Sequence, residues 1–155
     1  MDTFTYSHSD EDLPDQPIGY WASAAGSAVV HHIRTTLAEL GVTQPQWWIL
    51  SQLVAGDEGR DRAAVLATLR GYLGVGDGPL NHDINALRER RLLAEDAGGR
   101  LRVTDAGRAL QAEISARQHK LRAQIHEGVT EEEYIQTLKV LQRMIHNVGG
   151  AAWHE

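Results

Sequence analysis

Asn81, His82 and Asn85 stand close together on a segment whose apolar members, Leu80, Ile84 and Leu87, recur at helical spacing. At 100° per residue, His82 and Asn85 fall nearly opposite that apolar stripe, and Asn81 lies on its shoulder. An asparagine amide carries a donor and an acceptor side by side, so it can bond adenine bidentately in a major groove. Histidine and asparagine also suit the depth of that groove. Arg88 and Arg90 flank the same face, and their charge suits phosphates. Further on, Arg100 and Arg102 alternate with Leu101 and Val103, which gives a strand with one cationic and one apolar face. The competing reading of these seven residues is a solvated helix face followed by solubilising strand arginines.

Other chemistries are weaker. Tyr20, Trp21, Trp48 and Tyr72 are candidates for a pocket holding a small aromatic molecule, against the alternative that aromatics at helical spacing fill a core. The histidines include the adjacent pair His31-His32, together with His119 and His126 on a later helix. Adjacent residues on a helix point about 100° apart, and no cysteine supports them, so no metal ligands are assigned. No phosphate-binding loop, nucleophile elbow, metalloprotease motif or triad is visible. No catalytic residue and no cofactor are therefore expected.

The elements that must carry these side chains can be read along the chain. Asp15 and Pro17 open a long helix, with Ile18, Trp21, Ala25, Val29, Ile33, Leu37 and Leu40 on one stripe and Gly41 at its end. Thr43 and Gln46 form a capping box for a second helix, with Trp47, Leu50 and Leu53 inward. A third helix spans about 61–73. After a glycine-rich turn, a fourth begins at Pro79 and runs to about Arg91. Residues 92–95 and 100–103 make a two-stranded hairpin in which Gly98-Gly99 supplies the positive φ of the turn. Thr104 caps a fifth helix, and Thr130 with Glu133 caps a sixth. The order α–α–α–α–β–β–α–α predicts a mainly helical fold with one short hairpin, a winged helix-turn-helix.

Composition permits this reading without proving it. The formal net charge is −6, but residues 1–15 hold five acids and no Lys or Arg, while residues 56–108 hold nine arginines against nine acids. The middle of the chain is thus neutral. Cysteine is absent, which fits a reducing cytoplasm. No stretch approaches the roughly 20 apolar residues of a membrane helix, so no membrane partner is expected.

Three segments resemble the MarR family of bacterial regulators (multiple antibiotic resistance regulators). Residues 38–47, AELGVTQPQW, are similar to the family's AELGLTxxQW. The second segment is the pattern Leu80-x3-Ile84-x2-Leu87-x3-Arg91-Leu92-Leu93. The third, residues 101–110, LRVTDAGRAL, is similar to vrLTxxGral. The resemblance covers about residues 17–148. It implies a homodimer that binds palindromic double-stranded DNA and is often released by small aromatic or phenolic ligands. This chain departs from the pattern in a shorter wing without the Asp-x-Arg motif, in Arg91 where glycine is usual, and in Gly78-Pro79 and Asp83 on the fourth helix.

The expected organisation follows. Residues 1–15 form a disordered acidic tail, 16–41 and 109–150 a helical dimerisation region, 42–108 a winged helix-turn-helix lobe, and 151–155 a C-terminal tail. The expected function is a cytoplasmic, homodimeric transcriptional regulator on a pseudo-palindromic operator. The alternatives are a winged-helix dimer that has lost DNA affinity and serves as a protein-interaction module, or a metal-responsive regulator.

Overall fold

The computed structural model describes residues 4–56, 58–74 and 76–152, with Tyr72 described by its backbone alone. Residues up to His32 and residues from Ile33 form two compact units. In the first, where the sequence predicts a disordered tail, a turn forms at Ser9: its hydroxyl donates to Asp12 Oδ2 at 2.7 Å and accepts from the Asp12 N–H at 3.3 Å. A 3-10 helix, Leu13–Asp15, follows, with Pro14 in its first turn. Asp15 therefore belongs to this short helix and does not cap the next one. Helix α1 (Ile18–Glu39) starts from Pro17 instead, whose carbonyl accepts from the Tyr20 and Trp21 N–H groups at 3.1 and 3.3 Å.

The second unit carries the core. Helix α2 (Gln44–Val54) opens on the expected capping box: Thr43 Oγ1 accepts from the Gln46 N–H at 3.3 Å, and Gln46 Oε1 accepts from the Thr43 N–H at 3.2 Å. Strand β1 (Arg60–Asp61) and helix α3 (Arg62–Leu73) come next, then helix α4 (Asp77–Glu89). Helix α4 starts two residues before Pro79, with Gly76 as its N-cap. Strands β2 (Leu93–Glu95) and β3 (Arg100–Val103) precede helix α5 (Asp105–Ile125) and helix α6 (Glu131–Asn147). Thr104 caps α5 through the Gly107 N–H, and the Thr130/Glu133 box caps α6, both as the sequence indicates.

Among the described residues the sheet has three strands in the order β1-β3-β2, all antiparallel. The sequence reading anticipates β2 and β3 but not β1, which is two residues long and shows no alternation. Gly59 lets β1 approach: a Cβ there would lie 2.6 Å from the Leu101 carbonyl oxygen. In the hairpin only Gly99 has positive φ, at 80°, so the turn uses one glycine where the sequence suggests two. Asp96 supplies the rest. Its Oδ1 accepts from the Gly98 and Arg100 N–H groups at 2.9 and 3.0 Å. Those bonds, the one from Arg100 foremost, hold the Asp96 carboxyl below its ordinary pKa.

Leu37, Ile49, Leu50, Leu53, Val65, Leu69, Leu80, Ile84, Leu87, Leu101 and Ile114 are essentially removed from solvent. Each such burial is worth about 1.5–3 kcal/mol relative to exposure. The three from α4 therefore bind that helix to the core and leave its other faces for different work. At the exit of α4, the Arg91 N–H bonds the Arg88 carbonyl at 2.9 Å and the Leu92 N–H bonds the Leu87 carbonyl at 3.0 Å. This is the Schellman pattern, which places its C′ residue in the left-handed region. Arg91 occupies that place at φ 59°, so arginine replaces the usual glycine without changing the helix exit, at a cost of about 1 kcal/mol.

Candidate nucleic-acid interface

Helix α4 has four sides, each with a distinct fate. Leu80, Ile84 and Leu87 enter the core. On one flank Asp83 turns to α2, where its Oδ1 accepts from Gln46 Nε2 at 3.2 Å and Thr43 Oγ1 at 3.4 Å. A carboxylate at a helix N-terminus is favourable, so Asp83 joins α4 to α2. Arg90 lies on the same flank and donates from Nη1 to the Gly41 carbonyl at 2.7 Å. Of the two arginines expected to flank the exposed face, Arg90 thus anchors the turn after α1.

The opposite flank is a charged network. Arg62, in the first turn of α3, donates from Nη1 to Asn81 Oδ1 at 2.9 Å and from Nη2 to Asn85 Oδ1 at 3.3 Å. The same guanidinium bonds both carboxylate oxygens of Glu95 on β2, at 3.2 and 2.9 Å. Arg88 meets Glu95 Oε2 at 2.9 Å. Asn85, Arg88, Glu89, Leu93, Ala94 and Glu95 line an open groove between α4 and β2. His82 is exposed on the remaining side, with Asn85 exposed at its border and Asn81 half-buried.

Glu95 is held below its ordinary pKa of 4.5, first by the hydrogen bond from Arg62 and further by the Arg62 and Arg88 charges, with burial and Asp96 opposing. A depressed folded pKa adds stability that is complete above the ordinary value and is lost as pH falls through the folded value. Glu95→Gln is therefore expected to be less stable than the native chain at pH 7, with the gap narrowing below about pH 4. Urea midpoints from pH 7 to 3 check this; a gap independent of pH would show that the carboxylate charge contributes nothing.

On the wing, Leu101 is buried while Arg100 and Arg102 are exposed, the alternation read from the sequence. Arg100 also donates from Nη2 to the Gly59 carbonyl at 3.1 Å, so it braces β1. Among the pocket candidates, Trp48 is half-buried and packs against the core, its ring edge-on to Trp47 at 6.0 Å. Tyr20 and Trp21 are exposed, Tyr20 the more so, and meet edge-on at 5.3 Å. The side chain of Tyr72 lies outside the described residues. Among the described residues, no group of three or more His, Cys, Asp or Glu could hold a metal ion, and no helix is long and apolar enough to cross a membrane.

Arg62 and Glu95 are the site residues that sequence reasoning missed. One signal was available: a cation in the first turn of a helix opposes the helix dipole, so Arg62 needs a compensating anion. The position of that anion, 33 residues later, is a product of the fold.

No family model and no curated protein matches the sequence. Solved structures do. The chain superposes on the PcaV transcriptional regulator from Streptomyces coelicolor with TM-score 0.71 at 22% identity, covering 88% of this chain and 100% of that one. CouR from Rhodococcus jostii, solved bound to p-coumaroyl-CoA, gives 0.67 at 21% identity over 84% of this chain and 92% of its own. A MarR family protein of Mycobacterium tuberculosis, solved in complex with DNA, gives 0.64 at 20% identity over 83% and 98%. With six α-helices and a small antiparallel sheet among the described residues, and these superpositions, this chain has the winged-helix fold of the MarR family transcriptional regulators.

Proposed function

We propose that this protein is a transcriptional regulator that binds a pseudo-palindromic duplex as a homodimer. The observation that carries the reading is α4: its apolar side is fixed in the core, and its far side presents His82 and Asn85 with Asn81 at the shoulder. Polar residues that reach base edges from a rigid helix are what major-groove recognition requires. Arg88, Arg100 and Arg102 are exposed around that face and suit phosphates. The M. tuberculosis neighbour, solved with DNA, supports the same use of the fold.

The dimer is proposed to form through residues 16–41 and 109–150. Helix α6 supports this, because none of its residues is buried and Ile135, Leu138 and Met144 are each at least 40% exposed. Light scattering across dilution is expected to give twice the 17.1 kDa chain mass, and a folded monomer at micromolar concentration would overturn the dimer.

A small aromatic effector is proposed as the release signal. CouR, bound to p-coumaroyl-CoA, supports an acyl-aromatic class. The place of action is the cytoplasm. Selection of bound sequences from a random duplex library tests the reading: enrichment of an inverted repeat supports it, and no enrichment refutes it.

A further inference from the structure

We propose that Arg62 is a specificity-determining residue that fixes which end of the Asn81 and Asn85 amides is left for the DNA bases. The inference rests on the duplex-reading function above and concerns what that helix reads.

A guanidinium has five N–H donors and no acceptor. Only the carbonyl end of an asparagine amide can therefore face it. Arg62 takes Oδ1 of Asn81 at 2.9 Å and Oδ1 of Asn85 at 3.3 Å. Both amides are turned the same way, and rotating either would set an NH2 group against a cationic N–H. Arg62 itself is held in plane. Its Nε and Nη2 reach the two oxygens of Glu95 at 3.2 and 2.9 Å, the fork geometry that fixes a guanidinium most firmly. The Arg62 and Glu95 side chains are only 22% and 17% exposed, so water competes weakly for these bonds.

The consequence is a change of base preference. The bidentate contact of asparagine with adenine uses the amide oxygen on N6 and the amide nitrogen on N7. With one lone pair of each oxygen taken by Arg62 and the guanidinium standing beside it, what α4 offers at these two positions is chiefly two NH2 donors. Guanine offers such donors two acceptors, N7 and O6, and thymine offers O4, whereas adenine sets its N6–H2 donor beside its single acceptor N7. The helix is thus set to favour acceptor-rich edges over the adenine pair. The fold accepts a cation at the start of α3, against the helix dipole, and the carboxylate of Glu95 compensates for it.

The test is selection from a random duplex library with the full chain, the Arg62→Met variant and the Glu95→Gln variant, each checked for native helicity and melting. The native protein is expected to enrich guanine or thymine acceptors at the positions covered by α4. Arg62→Met releases both amides, and adenine at those positions is expected to rise about tenfold relative to guanine. Glu95→Gln loosens the same guanidinium and should shift preference in the same direction, by less. If Arg62→Met keeps the native preference and loses affinity equally on all sequences, Arg62 is a phosphate contact and the inference is wrong. If the native chain enriches no sequence, the duplex-reading function itself fails. Should Arg62→Met not fold, Arg62→Lys answers the same question. One ammonium cannot hold both amides in the plane of a fork, so a gain of adenine is expected, and an unchanged preference overturns the inference.

Discussion

Replacing Gly107 by alanine is expected to lower the melting temperature by about 10 °C. A Cβ at this position would collide with the Leu92 carbonyl oxygen and fall 2.8 Å from Val103 Cγ2. Both obstacles are fixed. Leu92 sits in the turn between α4 and β2, where its N–H bonds the Leu87 carbonyl and its carbonyl accepts from the Thr104 N–H at 3.1 Å. Gly107 meanwhile gives its own N–H to the Thr104 cap, so α5 cannot back away without losing its N-terminus. Forcing a methyl group into such a contact costs about 3 kcal/mol, and each kcal/mol is worth roughly 2–4 °C in a chain of this length. Thermal unfolding followed by circular dichroism measures the change. An unchanged melting temperature would mean that α5 does not pack on the wing as closely as described.

The largest effect on function is expected from the combined change of Asn81, His82 and Asn85 to alanine. Each good base contact contributes about 1–3 kcal/mol of discrimination, so the triple variant should lose at least about 100-fold of its preference for a selected duplex over a scrambled one. Stability should change far less. His82 is exposed, and its replacement should cost under about 0.5 kcal/mol. Asn81 and Asn85 each accept a bond from Arg62, and losing those bonds adds about 1 kcal/mol apiece. The variant is therefore expected to remain folded at 25 °C, which circular dichroism checks, and to be comparable directly by fluorescence anisotropy. Full retention of preference would exclude α4 as the reader.

The sequence made local features legible and tertiary ones much less so. The capping boxes at Thr43/Gln46 and Thr130/Glu133, the Thr104 cap and the alternation in residues 100–103 were readable because each depends on neighbours in the chain. The apolar stripe of α4 was readable for the same reason. Its flanks were not. Helical angles place Asp83 and Arg90 beside the exposed face, but only the packing of α2 and of the turn before it shows that both are engaged, Asp83 by Gln46 and Thr43 and Arg90 by the Gly41 carbonyl. The pairing of Arg62 with Asn81, Asn85 and Glu95 joins three elements and has no local signature. Strand β1 was missed because two residues carry no period. The start of α4 was misplaced because Pro79 suits a first helical position, yet it lies in the third, where it still needs no intrahelical partner for nitrogen.

The most direct measurement is titration of a selected duplex and a scrambled duplex with the native protein at two salt concentrations. The expected result is tighter binding to the selected duplex at both salts, with affinity for each duplex falling steeply as salt rises. Each phosphate neutralised contributes a slope of about −0.9 in log affinity against log salt, so a handful of arginine contacts suffices to make the dependence plain. Equal, weak binding to both duplexes with little response to salt would contradict DNA recognition by this helix and favour a winged-helix protein that binds other proteins instead.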